Sequence, residues 1–183
     1  MGSLHIITGP MFSGKSSTLI ARSEQEGRGT SLCFNHKLDV RYSKGNKIVT
    51  HDFVSVHCDA LNTIDDARAH PRYHEASHIF IDEVQFFTNI RDTVLRMVEV
   101  DGKHVYLAGL LVDTNRNLFG ELYTIMGLAD TVEFRSASRC ALCDRVGLFS
   151  QSRNPAKTIV DVGQSDKYIV LCRCHYLNNK INK

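Results

Sequence analysis

The sequence predicts an α/β protein built on a parallel sheet flanked by helices, followed by a small C-terminal unit of a different kind. Two observations carry this prediction. Before Thr131, short apolar runs alternate with longer segments of helical character. From Thr131 onwards the helical period stops, and four of the six cysteines fall in the remaining segment.

The first part of the chain follows a strand, loop, helix order that is then repeated. An apolar run at 4–8, ended by glycine and proline, predicts a buried strand. After a glycine-rich loop, Lys15–Glu26 predicts a helix closed by two glycines. Further strands are expected at 31–35, in a short pair around 48–56, at 78–82 and at 104–110, with an amphipathic helix over 89–100.

The sequence of the C-terminal part predicts short strands separated by polar turns. Such pieces bury little apolar surface by themselves, and a bound metal commonly substitutes for a core in units of this size. We therefore divide the chain into an α/β domain at 1–135 and a metal-stabilised domain without helical character at 136–183.

Composition excludes several classes of partner. The formal net charge of +2 is spread along the chain, so a small molecule is expected as partner rather than nucleic acid. No run approaches the roughly 18 apolar residues of a membrane span, so no membrane partner is expected. The N-terminus also lacks the pattern of a signal peptide, which predicts a cytoplasmic protein.

Cysteine spacing predicts a zinc site. In a reducing compartment, isolated Cys33 and Cys58 are interpreted as buried structural thiols. A C-x-x-C pair and one later cysteine supply three ligands, and two neighbouring residues compete to be the fourth. Only the histidine stands three positions after that later cysteine, the spacing of a zinc half-site. The favoured set, which leaves no open position and is typical of structural zinc, is Cys140, Cys143, Cys172 and His175, with Cys174 as a spare thiol.

The segment GPMFSGKS, residues 9–16, matches the phosphate-binding pattern G-x-x-x-x-G-K-[ST] between a predicted strand and a predicted helix. Backbone N–H groups of such a loop surround phosphates, its lysine reaches the outer phosphates, and the following hydroxyl ligates magnesium. This context favours a P-loop NTPase-like sheet over a plain glycine-rich turn. The residues expected to bind ATP and magnesium here are Gly9, Met11, Phe12, Ser13, Gly14, Lys15 and Ser16.

Two adjacent acids follow the apolar run at 79–81. Asp82 stands where a magnesium-side aspartate is expected, at the end of a buried strand. Glu83 would orient water in an ATPase, or accept the proton of a substrate hydroxyl in a kinase. Spacing alone does not separate these two roles.

Eight short segments occur in this order along the chain: TGPMFSGKS, DVRYS, THD, IDEVQFF, LFGEL, the C-x-x-C pair, DKY and CRCHY. Through them the chain resembles the zinc-containing class of thymidine kinases, the class of the cytosolic cellular enzyme and its poxviral and bacterial relatives. The resemblance extends from Leu4 to about Tyr176.

This resemblance implies transfer of the ATP γ-phosphate to the 5′-hydroxyl of thymidine with Mg²⁺, giving dTMP in pyrimidine salvage. Deoxyuridine is a further expected substrate. Glu83 would be the base that accepts the hydroxyl proton. Asp39 would support the magnesium through water, and Arg41 would offer positive charge to the migrating phosphoryl group.

The resemblance also implies a nucleoside site. Apolar walls around the base would come from Met11, Phe86, Leu110 and Phe119. The segment between the metal-ligand pairs resembles the family's lasso loop, held at both ends by zinc. Its contacts to base and sugar would come from Ser150, Val162, Gly163 and Tyr168. Departures from the family pattern, which concern how the pyrimidine is held, are Thr114 in place of an aromatic residue, a shifted Arg153 and Gln164 in place of glycine.

The family further implies a homotetramer and feedback inhibition by dTTP. One alternative is a non-catalytic, zinc-stabilised binding module, and the other is a P-loop ATPase whose zinc ribbon binds nucleic acid. That alternative needs a basic ribbon with interleaved aromatics. The basic residues of the C-terminal part are instead offset by acids, namely Arg139, Arg145, Arg153 and Lys157 by Asp144, Asp161 and Asp166.

Overall fold

The computed structural model describes residues 1–26, 30–39, 47–49, 55–136, 138–153 and 167–181. In chain order the elements are β1 (Ser3–Thr8), α1 (Lys15–Glu26), β2 (Ser31–His36), β3 (Lys47–Val49), β4 (Ser55–His57), β5 (Asp59–Leu61), α2 (Asp65–Arg68), β6 (His78–Ile81), α3 (Ile90–Leu95), β7 (His104–Gly109), β8 (Thr131–Phe134), β9 (Phe149–Ser152), β10 (Tyr168–Leu171) and α4 (Arg173–Ile181). A 3-10 turn spans Val84–Phe86, two more lie at Leu122–Thr124 and Met126–Leu128, and α3 continues as a π-helical turn at Arg96–Val100.

The main sheet has six strands in the order β5-β2-β6-β7-β1-β8. All five pairings are parallel, with Ile6 opposite Leu107 and Val132, and Ile79 opposite Leu32 and Val105. Parallel strands end at one edge of a sheet, so the loops after β1, β2, β6 and β7 meet there. Ligands of open α/β sheets bind at this carboxyl edge.

Alternate residues of the strands build a core on each face of the sheet. In β6, Ile79 and Ile81 join the core on the α3 side, while Phe80 joins the core on the α1 side with Leu19 and Ile20. Each fully buried side chain of this kind contributes about 1.5–3 kcal/mol relative to exposure. The prediction of a parallel sheet flanked by helices is therefore confirmed.

Cys33 and Cys58 both lie in the α1-side core, as expected of structural thiols. Burial raises the pKa of Cys33 to about 11 and that of Cys58 to about 12. The thiolate is the reactive form of cysteine. Both side chains therefore stay protonated and inert at neutral pH.

The C-terminal residues form a second, smaller unit against the first. Strands β9 and β10 pair antiparallel, and their core contains Cys140, Leu171, Cys172 and Tyr176 with Phe149 packed against it. The Tyr176 hydroxyl donates to the Thr114 carbonyl at 2.7 Å, which ties this unit to the loop after β7. Within the described ranges no helix combines the length and apolar character needed to cross a bilayer.

The expectation that helical structure is absent after Thr131 is wrong, because α4 occupies Arg173–Ile181. This helix carries the fully buried side chain of Tyr176 and starts directly after the predicted ligand Cys172. Its remaining residues are mostly polar, so no amphipathic period marks it in the sequence. Strand β8 also belongs to the main sheet, where it pairs with β1.

Candidate active site and metal centre

The loop at residues 9–16 leaves β1 in a conformation that requires glycine. Gly9 has φ 144° and Gly14 has φ 83°, and Phe12 between them takes the left-handed region with φ 58°. A Cβ on Gly9 would lie 2.3 Å from the Arg135 carbonyl oxygen and 2.9 Å from Ser13 Oγ. The loop is therefore packed against the chain that follows β8.

We expect Gly9→Ala to raise KM for ATP by about tenfold or more, since its Cβ forces both a backbone collision and a strained φ. Initial rates at varied ATP would show the change. Gly127→Ala is the matched control, because a Cβ there meets nothing within 4 Å. Unchanged ATP kinetics in Gly9→Ala would contradict the packing argument.

The side chains of the loop are held close to its own backbone. Lys15 is buried, and its Nζ donates to the Pro10 carbonyl at 2.8 Å. Ser13 is fully buried, and its Oγ has no hydrogen-bond partner among the described residues. Ser16 is half-buried in the first turn of α1. Loop and helix N-terminus thus present donors at the carboxyl edge, as a phosphate site requires.

The two acids lie at the same edge, directly after β6, with β7 between β6 and β1 in the sheet. Asp82 and Glu83 are both buried, and Asp82 Oδ1 accepts from the Glu83 N–H at 3.0 Å. Glu83 has φ 54°, a left-handed conformation that costs a non-glycine residue about 1–3 kcal/mol. Strained backbone of this kind is concentrated at functional sites.

Gln85, which sequence reasoning missed, lies between the acids and β7. It is buried in the turn Val84–Phe86, its Nε2 donates to Glu83 Oε2, and its Oε1 accepts from the Leu110 N–H at 2.9 Å. The signal in the sequence is a polar residue inside the otherwise apolar run VQFF. Its partner Leu110 stands 25 residues away, so the contact itself is visible only in the fold.

Three of the predicted nucleoside-site residues lie together beside Gln85. The rings of Phe86 and Phe119 meet edge to face at 5.6 Å, and both side chains are half-buried. Leu110 is buried at the end of β7. His36 packs its ring 5.9 Å from Phe86, and burial lowers its pKa below the ordinary value. The wall is thus apolar, with the His36 imidazole packed against Phe86.

The C-terminal unit contacts the loop at residues 9–16 through Met11. The Met11 N–H donates to Ser150 Oγ at 2.9 Å, and its carbonyl accepts from Ser138 Oγ at 3.0 Å. Ser150, predicted as a contact to the base, is therefore bonded to the loop in this structure. Ser138 was missed, since nothing in its sequence context marks it. Tyr168 is buried at the start of β10.

Some predicted site residues lie outside the described residues. Arg41, Val162 and Gly163 are among these, as are the segment THD and the departure at Gln164. Asp39 is described and half-buried, and its N–H donates to the His36 carbonyl at 2.8 Å. It follows β2 at the same carboxyl edge as the loop and the acids.

The four predicted zinc ligands form one cluster, with all four ligand atoms within 4.8 Å of one another. His175 Nδ1 lies 3.4 Å from both Cys140 Sγ and Cys172 Sγ, and Cys143 Sγ lies 3.8 Å from Cys172 Sγ. Zn–S bonds of about 2.3 Å place tetrahedral sulfurs about 3.8 Å apart, so the residues fit a zinc ion. Cys174 is exposed and accepts from Asn178 Nδ2 at 3.8 Å.

The cluster also favours the ionised form of a thiol. Burial opposes ionisation of Cys140, but the backbone N–H groups of Cys172 and Leu142, together with His175, outweigh it and lower the pKa of Cys140 to about 6. A thiolate is the form in which cysteine binds metal.

The amino-acid sequence was compared with family models and with known proteins. A family model described as "Thymidine kinase" matches residues 2–176. The chain is 36% identical over 187 residues to a thymidine kinase of Oryza sativa subsp. japonica, covering 98% of this chain and 68% of that protein. It is 35% identical over 189 residues to thymidine kinase a of Arabidopsis thaliana, covering 98% and 77%. It is 36% identical over 182 residues to the thymidine kinase of Fowlpox virus (strain NVSL), covering 97% and 98%.

Proposed function

The chain belongs to the thymidine kinase family, and from this premise we propose that it transfers the γ-phosphate of ATP to the 5′-hydroxyl of thymidine, giving dTMP. The structural observation that carries the proposal is the arrangement at the carboxyl edge of the sheet. Strands β1 and β6 end there in a phosphate loop and a buried carboxylate pair, beside an apolar wall. A phosphate donor and a nucleoside acceptor both fit this edge.

The chemistry is divided among the loop and the acids. Backbone N–H groups at residues 9–16 and the Lys15 ammonium hold the phosphates in position. Glu83 accepts the proton of the 5′-hydroxyl. The hydroxyl oxygen bonds to the γ-phosphorus as the bond between the γ-phosphorus and the β–γ bridging oxygen breaks and ADP leaves. Ser16 and Asp82, supported by Asp39, would hold magnesium, which neutralises phosphate charge. Arg41 supplies further positive charge in this proposal.

The nucleoside lies against Met11, Phe86, Leu110 and Phe119. Support comes from the edge-to-face pair of Phe86 and Phe119 beside Leu110. The lasso residues Ser150, Val162, Gly163 and Tyr168 close over it. The bond from Met11 to Ser150 joins this loop to the phosphate site, so closure and phosphate binding are coupled.

Zinc has a structural role in this proposal. Its ligands are Cys140, Cys143, Cys172 and His175, and the observed cluster of three thiols and an imidazole supports it. The ion fixes both ends of the lasso within a domain at 136–183, while 1–135 forms the ATP-binding domain. The free cysteines in this cluster are consistent with a cytoplasmic location.

Homotetramer formation and feedback inhibition by dTTP complete the proposal on the strength of the family resemblance. Self-association is supported by edge strand β8, where Val132 and Phe134 are exposed at 43% and 55%. Edge strands with exposed apolar side chains are commonly covered by a partner. Sedimentation of the purified protein tests the oligomeric state, and initial rates of thymidine phosphorylation at varied dTTP test the inhibition.

Purified protein with Mg-ATP is expected to phosphorylate thymidine, and more slowly deoxyuridine, in a nucleoside panel compared by kcat/KM. The panel includes deoxycytidine and deoxyadenosine as controls. If no deoxynucleoside is phosphorylated while ATP hydrolysis rises with added DNA or RNA, the ATPase alternative replaces this proposal. That alternative is not favoured by the family match over residues 2–176.

A further inference from the structure

The carboxylate of Glu83 is in contact with a buried amide. Glu83 is 6% exposed and Gln85 is 3% exposed, and Gln85 Nε2 donates to Glu83 Oε2. Between two groups with so little access to water, a hydrogen bond to a carboxylate is stronger than a neutral one. Gln85 therefore holds one oxygen of the proposed base.

The orientation of the Gln85 amide is fixed by its other end. Its Oε1 accepts from the Leu110 N–H at 2.9 Å. A rotated amide would place its NH₂ against that N–H and its oxygen against the Glu83 carboxylate, so only one orientation satisfies both partners. The donor must face Glu83.

The backbone around Gln85 leaves it no room to move. A Cβ on Gly120 would lie 2.3 Å from the Gln85 carbonyl oxygen, and one on Gly109 would lie 2.8 Å from Gln85 Oε1. Both glycines lie near the ends of β7 and the loop that follows it. The chain thus brings two segments against Gln85 at a distance that only glycine permits.

We propose that Gln85 is the positioning residue for the base Glu83, setting the rotation of its carboxylate through an amide anchored on the Leu110 N–H. The inference rests on the proposed kinase function and deepens it. A general base acts only when its oxygen lies in line with the substrate proton. In this proposal Gln85 acts through Glu83 rather than on ATP or thymidine directly.

Gln85→Glu isolates this role, because the new side chain still accepts from the Leu110 N–H but has no amide donor for Glu83. The two carboxyl groups then repel or share a proton. We expect kcat for thymidine to fall about 100-fold. KM for ATP and for thymidine should stay within threefold, and rates are measured well below the thermal midpoint, which a second buried carboxyl group lowers. Gln85→Met removes both bonds and should lower kcat at least as much.

Gln25→Glu makes the same chemical change at an exposed position of α1 and is expected to leave kcat unchanged. A double-mutant cycle adds a readout that a purely structural role would not move. If Gln85 acts through Glu83, then adding Gln85→Glu to Glu83→Gln changes the remaining kcat less than threefold. If the two substitutions instead lower kcat by independent factors, Gln85 does not act through Glu83.

Two results would overturn the inference. One is a kcat within threefold of wild type for Gln85→Glu. The other is a loss of kcat in Gln85→Met accompanied by a KM for ATP raised by a similar factor, which indicates a packing role. Wild-type protein assayed beside the variants separates this inference from the function itself. An inactive wild type refutes the kinase proposal, whereas an active wild type with active variants refutes only the role of Gln85.

Discussion

Glu83→Gln is expected to lower kcat for thymidine phosphorylation by about 10²–10⁴-fold, the usual contribution of a positioned general base. Glutamine has the same shape but does not accept the proton of the 5′-hydroxyl. Its amide oxygen still accepts from Gln85 Nε2, so the bond between the two side chains is kept. KM for ATP should therefore stay near the wild-type value. Steady-state kinetics with varied ATP and varied thymidine measure both quantities.

Glu99→Gln supplies the matched control, since Glu99 is exposed on the π-helical turn after α3. It should retain wild-type kcat. Glu83 would lose its assignment as the base if Glu83→Gln kept more than a tenth of the wild-type kcat. A raised KM for ATP with unchanged kcat would assign Glu83 to nucleotide binding instead.

His175→Ala is expected to release zinc and to raise KM for thymidine by about tenfold. Structural zinc supplies about 10–16 kcal/mol of folding free energy in small metal-bound domains, so losing a ligand destabilises the whole unit. The unit carries Ser150, which bonds to Met11, and Tyr176, which bonds to Thr114. Zinc content by atomic emission, the thermal midpoint and KM report the three consequences.

Cys174→Ser tests whether position 174 or 175 is the fourth ligand. Cys174 is exposed and outside the ligand cluster, so this variant should keep stoichiometric zinc and wild-type KM. Release of zinc from Cys174→Ser, together with retention in His175→Ala, would move the assignment by one residue. His175→Cys should retain zinc, because a thiolate replaces the imidazole in a Cys₄ site.

Features that depend on neighbours in the sequence could be predicted from it. The loop at 9–16 and the acids Asp82 and Glu83 each follow a buried apolar run. The glycine-rich pattern of the loop, the two acidic residues and the strands before them can all be recognised from a few consecutive residues. The cluster of Cys140, Cys143, Cys172 and His175 could also be predicted, since these residues have the spacing of zinc half-sites.

Features that depend on tertiary contact could not be predicted. Strand β8 has the sequence TVEF with no long apolar run, because it is an edge strand paired only with β1. Helix α4 is missed because it packs through Tyr176 against Cys140, Leu171 and Cys172 and has no apolar stripe of its own. Gln85 and Ser138 act through hydrogen bonds to Leu110 and Met11, which the sequence places 25 and 127 residues away.

The place of β1 in the sheet governs when this protein folds on the ribosome. The strand is made first, yet its two neighbours, β7 and β8, come from residues 104–109 and 131–134. At usual elongation rates the nascent strand waits on the order of 10 s for them with both hydrogen-bonding edges unpaired. The loop at residues 9–16, which is attached to that strand, therefore cannot take its final packing until β7 and β8 have been made.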